Sequence, residues 1–172
     1  ALAVSGNTLY AGGSFTTAGG VAVNRIAKWN GTFWSALSSG TSGGVYALAV
    51  SGTGLYVGGS FGTAGGTSSP RIAKWSGSAW SALGSGMNSA VTALAVSGSD
   101  LYVGGIFETA GEVTANRIAK WDGNTWSALG SGMGGDVFAL AASGNVLYAG
   151  GSFTTAGGIS ANYIAKWDGS AW

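Results

Sequence analysis

Residues 45–51, V-Y-A-L-A-V-S, alternate with a period of two, placing Val45, Ala47 and Ala49 on one side and Tyr46, Leu48 and Val50 on the other. Both sides are apolar, which predicts a strand buried on both faces. S-G-T-G at 51–54 predicts a tight turn, and L-Y-V-G-G at 55–59 a second strand. Two strands joined by so few residues run antiparallel. G-T-A-G-G-T-S-S-P at 62–70 carries turn formers without a strand pattern and predicts a surface loop. R-I-A-K-W at 71–75 predicts a third strand, S-G-S-A at 76–79 a turn, and W-S-A-L at 80–83 a fourth strand. No segment keeps a helical period over ten residues, so the unit is a four-stranded antiparallel meander.

That unit recurs. The pair W-x-G-x-x-W falls at Trp29 and Trp34, Trp75 and Trp80, Trp121 and Trp126, and Trp167 and Trp172, each 46 residues after the last. A-L-A-V-S-G starts at Ala1, Ala47 and Ala93 (A-L-A-A-S-G at Ala139), L-Y-x-G-G-x-F at Leu9, Leu55, Leu101 and Leu147, and I-A-K-W at Ile26, Ile72, Ile118 and Ile164. A sheet of this size, apolar on both faces, needs a neighbour on each side. The reading is an all-β fold, a β-propeller of four-stranded antiparallel blades, with alanine-rich strands near its axis where lateral room is least. A solenoid is the rival, but its coils stack parallel strands, whereas these turns reverse the chain within two to four residues. The period leaves no composition shift for a linker, so residues 1–172 read as one domain with blade repeats 1–46, 47–92, 93–138 and 139–172, the last incomplete. The chain is expected to be a fragment of a longer protein.

With L-Y-V-G-G, a loop and then I-A-K-W-D-G-x-x-W-S-A-L (118–129 in the third repeat), the unit resembles a kelch-type blade. It is most similar to the kelch-related repeats of large bacterial exported and cell-surface proteins. The resemblance covers every repeat and implies protein binding, glycan binding or scaffolding, and only occasionally catalysis. It also implies that the long loop and the crossover between repeats share an upper face, while the tight hairpins share the other. Variation between repeats then sorts to the upper face. The long loop reads V-A-V-N at 21–24, T-S-S-P at 67–70, V-T-A-N at 113–116 and I-S-A-N at 159–162, and the crossover varies over 38–44, 84–90 and 130–136. Ligand-binding candidates on that face are Asn24, Glu108, Glu112, Asn116, Asp136 and Asn162.

Composition narrows the picture. Thirty-four glycines would suggest disorder, but eight Trp, six Tyr and six Phe carry too much apolar surface for a coil, so the glycines punctuate strands. Charged residues make up 8% of the chain and the net charge is +1, too little field to hold a polyanion, so nucleic acid is not an expected partner. No apolar stretch approaches the length of a membrane span. The absence of Cys excludes disulfides and thiol chemistry. Low charge with abundant Gly, Ser, Thr and Ala tilts the expected location to the extracellular space or the cell surface.

Candidate chemistry is sparse. Each Trp buries about 150 to 250 Å², on the order of 4 to 6 kcal/mol before entropy is charged against it. Recurrence at every hairpin closure makes the indoles packing anchors first and sugar platforms second. All seven basic residues fall in the third strands: Arg25, Lys28, Arg71, Lys74, Arg117, Lys120 and Lys166. Their stems are expected to cover apolar strand surface while the heads reach water or loop carbonyls, against the alternative of a cationic ring for an anion. Glu108 and Glu112 stand where the second repeat has Gly62 and Gly66, and with Asp136 of the crossover they are expected to share the upper face. Oxygen ligands of that kind suit only a hard ion such as calcium, and solvated charge is the plainer reading, so no metal site is assigned.

Without His or Cys the commonest general base, the usual transition-metal ligands and the thiol nucleophile are missing, which excludes the copper-oxidase chemistry of some kelch-fold enzymes. W-D-G-N-T-W at 121–126 resembles a sialidase Asp box but fails it, because Asp122 and Gly123 are adjacent instead of one apart. The expected function is therefore a non-enzymatic scaffold or binding module for a protein or glycan, with no cofactor. A lectin with repeated sugar sites and a ligand-free spacer are the alternatives. A last blade without its outer strand leaves an edge. Further blades in the parent are the favoured remedy, and self-association through the open terminal blade is the other.

Overall fold

The alternating segments form the strands that their pattern predicts, and the computed structural model describes all 172 residues, Ala1–Trp172. The first sheet orders Leu2–Ser5, Thr8–Gly12, Ile26–Trp29 and Trp34–Ala36; the second orders Val45–Ser51, Gly54–Gly59, Ile72–Trp75 and Trp80–Ala82. The third repeats this with Val91–Ser97, Asp100–Gly105, Ile118–Trp121 and Trp126–Ala128. The fourth has three strands, Val137–Ser143, Val146–Gly151 and Ile164–Trp167. Every pairing is antiparallel and there is no helix. Register repeats without slippage: Leu9 faces Trp29, Leu55 faces Trp75, Leu101 faces Trp121 and Leu147 faces Trp167.

Two compact units divide the chain, Ala1–Gly86 and Met87–Trp172, each holding two sheets. In the first unit the core gathers Tyr10, Ile26 and Leu37 of sheet one with Val45, Leu55 and Trp75 of sheet two. In the second, Tyr102, Ile118 and Leu129 meet Val137, Leu147 and Phe153 in the same arrangement. Close approach depends on glycine at one strand position. A Cβ on Gly12 would lie 2.3 Å from Val45 Cγ1, and one on Gly104 would lie 2.5 Å from Val137 Cγ1.

Strict alternation fails at one residue in the first strand of sheets two, three and four. Pairing shifts between Val45 and Ala47, Val91 and Ala93, and Val137 and Ala139, so each strand carries a bulge. The extra residue resets the phase: Val45 joins Leu48 against Gly12 instead of sharing a side with Ala47 and Ala49, and Tyr46 and Phe138 turn outward.

The long loop also departs from the reading as irregular coil. It contains a second, miniature hairpin in every repeat, Thr17–Ala18 with Val21–Ala22, Thr63–Ala64 with Thr67–Ser68, Thr109–Ala110 with Val113–Thr114, and Thr155–Ala156 with Ile159–Ser160. Gly65 and Gly66 both take positive φ, 60° and 83°, the demand of a two-residue primed turn that matches strand twist. The Asn-Gly, Ser-Gly and Asp-Gly turns work differently from a primed turn. Four residues separate Trp29 from Trp34, only the glycine has positive φ, and Asn30 Oδ1 accepts from the amides of Thr32 and Phe33. Asp122 and Asp168 do the same in their own turns.

Candidate functional site

At the long-loop end, the residue opening each third strand sits in the left-handed region: Arg25, Arg71, Arg117 and Tyr163 have φ of 64° to 68°. That conformation throws the arginine side chain back across the crossover. Arg25 Nη1 donates to Thr41 O at 2.9 Å and Arg117 Nη1 to Met133 O at 3.3 Å, so these heads reach loop carbonyls. In the third repeat two acids join. Glu108 Oε1 lies 3.7 Å from Arg117 Nη2, and Asp136 Oδ1 lies 3.6 Å from Nε. Neither distance is a hydrogen bond, and Nε is buried without a hydrogen-bond acceptor. Other repeats have Thr16, Gly62 and Thr154 for Glu108, and Gly44 and Ala90 for Asp136, so this grouping is unique within the chain.

The remaining candidates scatter. Glu112 is exposed and outside the Arg117 cluster, and no three acidic side chains converge in a way that could hold a metal ion. Asn24 and Asn116 donate their side-chain N–H to Ser39 O at 2.9 Å and Ser131 O at 3.0 Å. Those amides latch the miniature hairpin to the crossover. Asn162 is exposed in the fourth repeat.

The hairpin end of the second unit holds a cleft of about 220 Å³, walled by Tyr102, Lys120, Ser127, Leu129 and Trp167. Register explains its polar edge. Tyr102 faces Lys120 across the strands, and Asp100, two residues earlier on the same side, is diagonal to it. Lys120 Nζ donates to Asp100 Oδ2 at 3.1 Å, and that hydrogen bond raises the ammonium pKa against the lowering effect of its burial. Asp100 has Thr8, Gly54 and Val146 as counterparts, so only this repeat ties its lysine down. In the second repeat, where Gly54 leaves the space open, Lys74 lies over the Tyr56 ring instead, 5.1 Å from its centroid. Sequence reasoning passed over this pair because Asp100 looks like one scattered acid until the register is known.

The tryptophans are packed. Their ring centroids stand 4.9 to 5.6 Å apart within each pair, tilted by 48° to 58°. Trp80 Nε1 donates to Leu37 O at 3.0 Å and Trp172 Nε1 to Leu129 O at 2.9 Å, joining the two sheets of each unit. Trp167 alone also borders the cleft.

Fold and site together define an all-β repeat protein whose unit is a four-stranded antiparallel sheet with a miniature hairpin in its long loop. No family model matches the chain, and no curated protein matches it. Solved structures do. The computationally designed Ika8 protein is 24% identical with a TM-score of 0.63, covering 98% of this chain and 45% of its own. The computationally designed Ika4 protein is 21% identical with a TM-score of 0.61, covering 96% of this chain and 88% of its own. The chain thus spans a little under half the length of Ika8, and likeness at these identities bears on fold alone.

Proposed function

We propose that the chain is a non-enzymatic β-propeller module, kelch-like in its repeat, that serves a larger exported or cell-surface protein as a scaffold presenting its long-loop end to a protein or glycan. One observation carries the reading. On a frame whose register is the same in every repeat, charge gathers at one place on that end, where Glu108 and Asp136 flank Arg117. Loops seated on packed sheets lose little entropy on binding, so a few polar groups suffice for recognition. The test is an array of glycans and of envelope polysaccharides probed with the native chain and with Glu108→Gln/Asp136→Asn. Binding lost in the double variant supports the reading. Binding by the native chain that survives the substitution sinks it, and no binding at all favours a spacer.

The cleft favours a second reading, a lectin. Its volume is below the roughly 300 to 1,000 Å³ of pockets for drug-sized ligands, so it admits one ring, with the Trp167 indole for the apolar face of a hexopyranose and Lys120 and Ser127 for its hydroxyls. Methyl hexopyranosides titrated against the Trp167 indole NMR signal test it. Ser127→Arg, at an exposed position, should abolish the shift and Ser35→Arg should not.

A further inference from the structure

We infer that Asn30 is an acceptor for an N-linked glycan, and that the first sugar of that glycan lies against Phe33. The turn between the first tryptophan pair reads N-G-T-F at 30–33, where the corresponding turns read S-G-S-A at 76–79, D-G-N-T at 122–125 and D-G-S-A at 168–171. Nowhere else in the chain does an asparagine have Ser or Thr two residues on with no proline between, the pattern that N-glycan transferases read. Such a pattern serves only where an enzyme can reach it. Asn30, Gly31, Thr32 and Phe33 are all exposed, and the turn belongs wholly to the first unit.

The fold leaves both recognition groups free. Asn30 Oδ1 is occupied, accepting from the amides of Thr32 and Phe33 at 2.9 Å each, but Asn30 Nδ2 donates to nothing. The Thr32 hydroxyl is likewise unpaired, whereas the Ser170 hydroxyl at the same position is bonded to Asp168 Oδ1 at 2.9 Å. The bond that closes the turn, from Asn30 N to Phe33 O, is 3.4 Å long against 3.0, 3.3 and 3.1 Å in the other three, so this turn opens most readily into a transferase cleft. There Nδ2 forms a bond to C1 of a sugar carried on a diphosphate, and the bond from C1 to the phosphate oxygen breaks. Its electron pair leaves with the diphosphate, and Nδ2 gives one proton to a base of the transferase. Phe33 accounts for the contact with the sugar. It is 58% exposed, and the other turns have Ala79, Thr125 and Ala171 in its place. An aromatic ring left largely in water forgoes its burial, and the apolar C–H face of a pyranose on Asn30 restores part of it. The glycan stands on the hairpin end and leaves the long-loop end clear, so the inference shares with the proposed scaffold only the export of the chain.

Secretion of the intact chain from cells whose export pathway carries an N-glycan transferase tests this, because export is then supplied and a failure says nothing against the binding reading. Mass spectrometry should find one glycan, on Asn30, and release by a peptide N-glycosidase should convert that side chain to a carboxylate. Thr32→Ala should be secreted without the glycan and Thr32→Ser with it. Asn30→Asp, which gives this turn the side chain of Asp122 and Asp168, should fold by circular dichroism and carry none. In the glycosylated chain the Phe33 ring protons should show NOE contacts to the first sugar. A native chain secreted bare overturns the inference, as does a glycan that survives Thr32→Ala. Sugar protons without contact to the ring overturn the placement against Phe33.

Discussion

The two ends of each sheet are built on opposite plans. At the hairpin end each turn between a tryptophan pair is closed by its own residues: the side-chain oxygens of Asn30, Ser76, Asp122 and Asp168 take amides two and three residues on. At the long-loop end the bonds cross between neighbouring repeats. Gly65 N donates to Gly40 O at 2.8 Å, Gly157 N to Gly132 O at 2.8 Å, and Ser42 Oγ accepts from Gly62 and Thr63. The Trp-flanked turns are braced by local bonds, while the long-loop end adds bonds from the neighbouring repeat to its own. Function that needs a held geometry belongs on the cross-braced end, and tolerance of change on the other.

Glycine substitution should separate the ends most sharply. A Cβ at Gly40, φ 71°, would stand 2.3 Å from Asn24 O, while one at Gly31, φ 99°, meets nothing. Gly40→Ala should destabilise by at least about 3 kcal/mol and Gly31→Ala by about 1 kcal/mol in urea unfolding, the latter from backbone conformation alone. Equal costs would dissolve the contrast. The crossover also carries a removable strain: Ser38 has φ 55° where Gly84 and Gly130 have 57° and 60°. Ser38→Gly should raise stability by about 1 kcal/mol.

The smallest effect is electrostatic and falls at the hairpin end. Amide donors of Ala171 and Ser170 hold Asp168 down from an ordinary value of 3.8 to about 2. A depressed folded pKa contributes stability that is complete above the unfolded value and fades as pH falls through 3.8 towards 2. Asp168→Asn should flatten thermal stability across that window, and an unchanged slope would assign the acid sensitivity elsewhere. Asp122, lowered by the amides of Thr125 and Asn124, should add a weaker component of the same sign.

The four main strands were readable because each spans at least three residues of patterned sequence beside a turn former. The miniature hairpins were not, since two-residue strands such as Thr63–Ala64 fall below any period and their Gly-Gly turns read as loop. Alternation alone places Val45 on the wrong side, because a bulge leaves no mark in an alternating string. Of the site residues, Glu108 and Glu112 stand out as departures from the repeat and Asp136 as an acid of the variable crossover; the structure brings Glu108 and Asp136 to Arg117 and leaves Glu112 outside. Asp100 departs as clearly, but its meaning lies in a diagonal neighbour 20 residues away.

The indole bond between sheets sets a rule for how such a chain can change length. Trp80 and its acceptor Leu37, like Trp172 and Leu129, are 43 residues apart, with the ring of Trp80 seated over Gly65 of its own repeat. An insertion or deletion of a few residues between donor and acceptor would pull the ring off its carbonyl. Gain or loss of one whole 46-residue module keeps the 43-residue spacing of the bonds that remain. Growth by duplication is thus the cheap route through sequence space, and point drift in spacing the forbidden one.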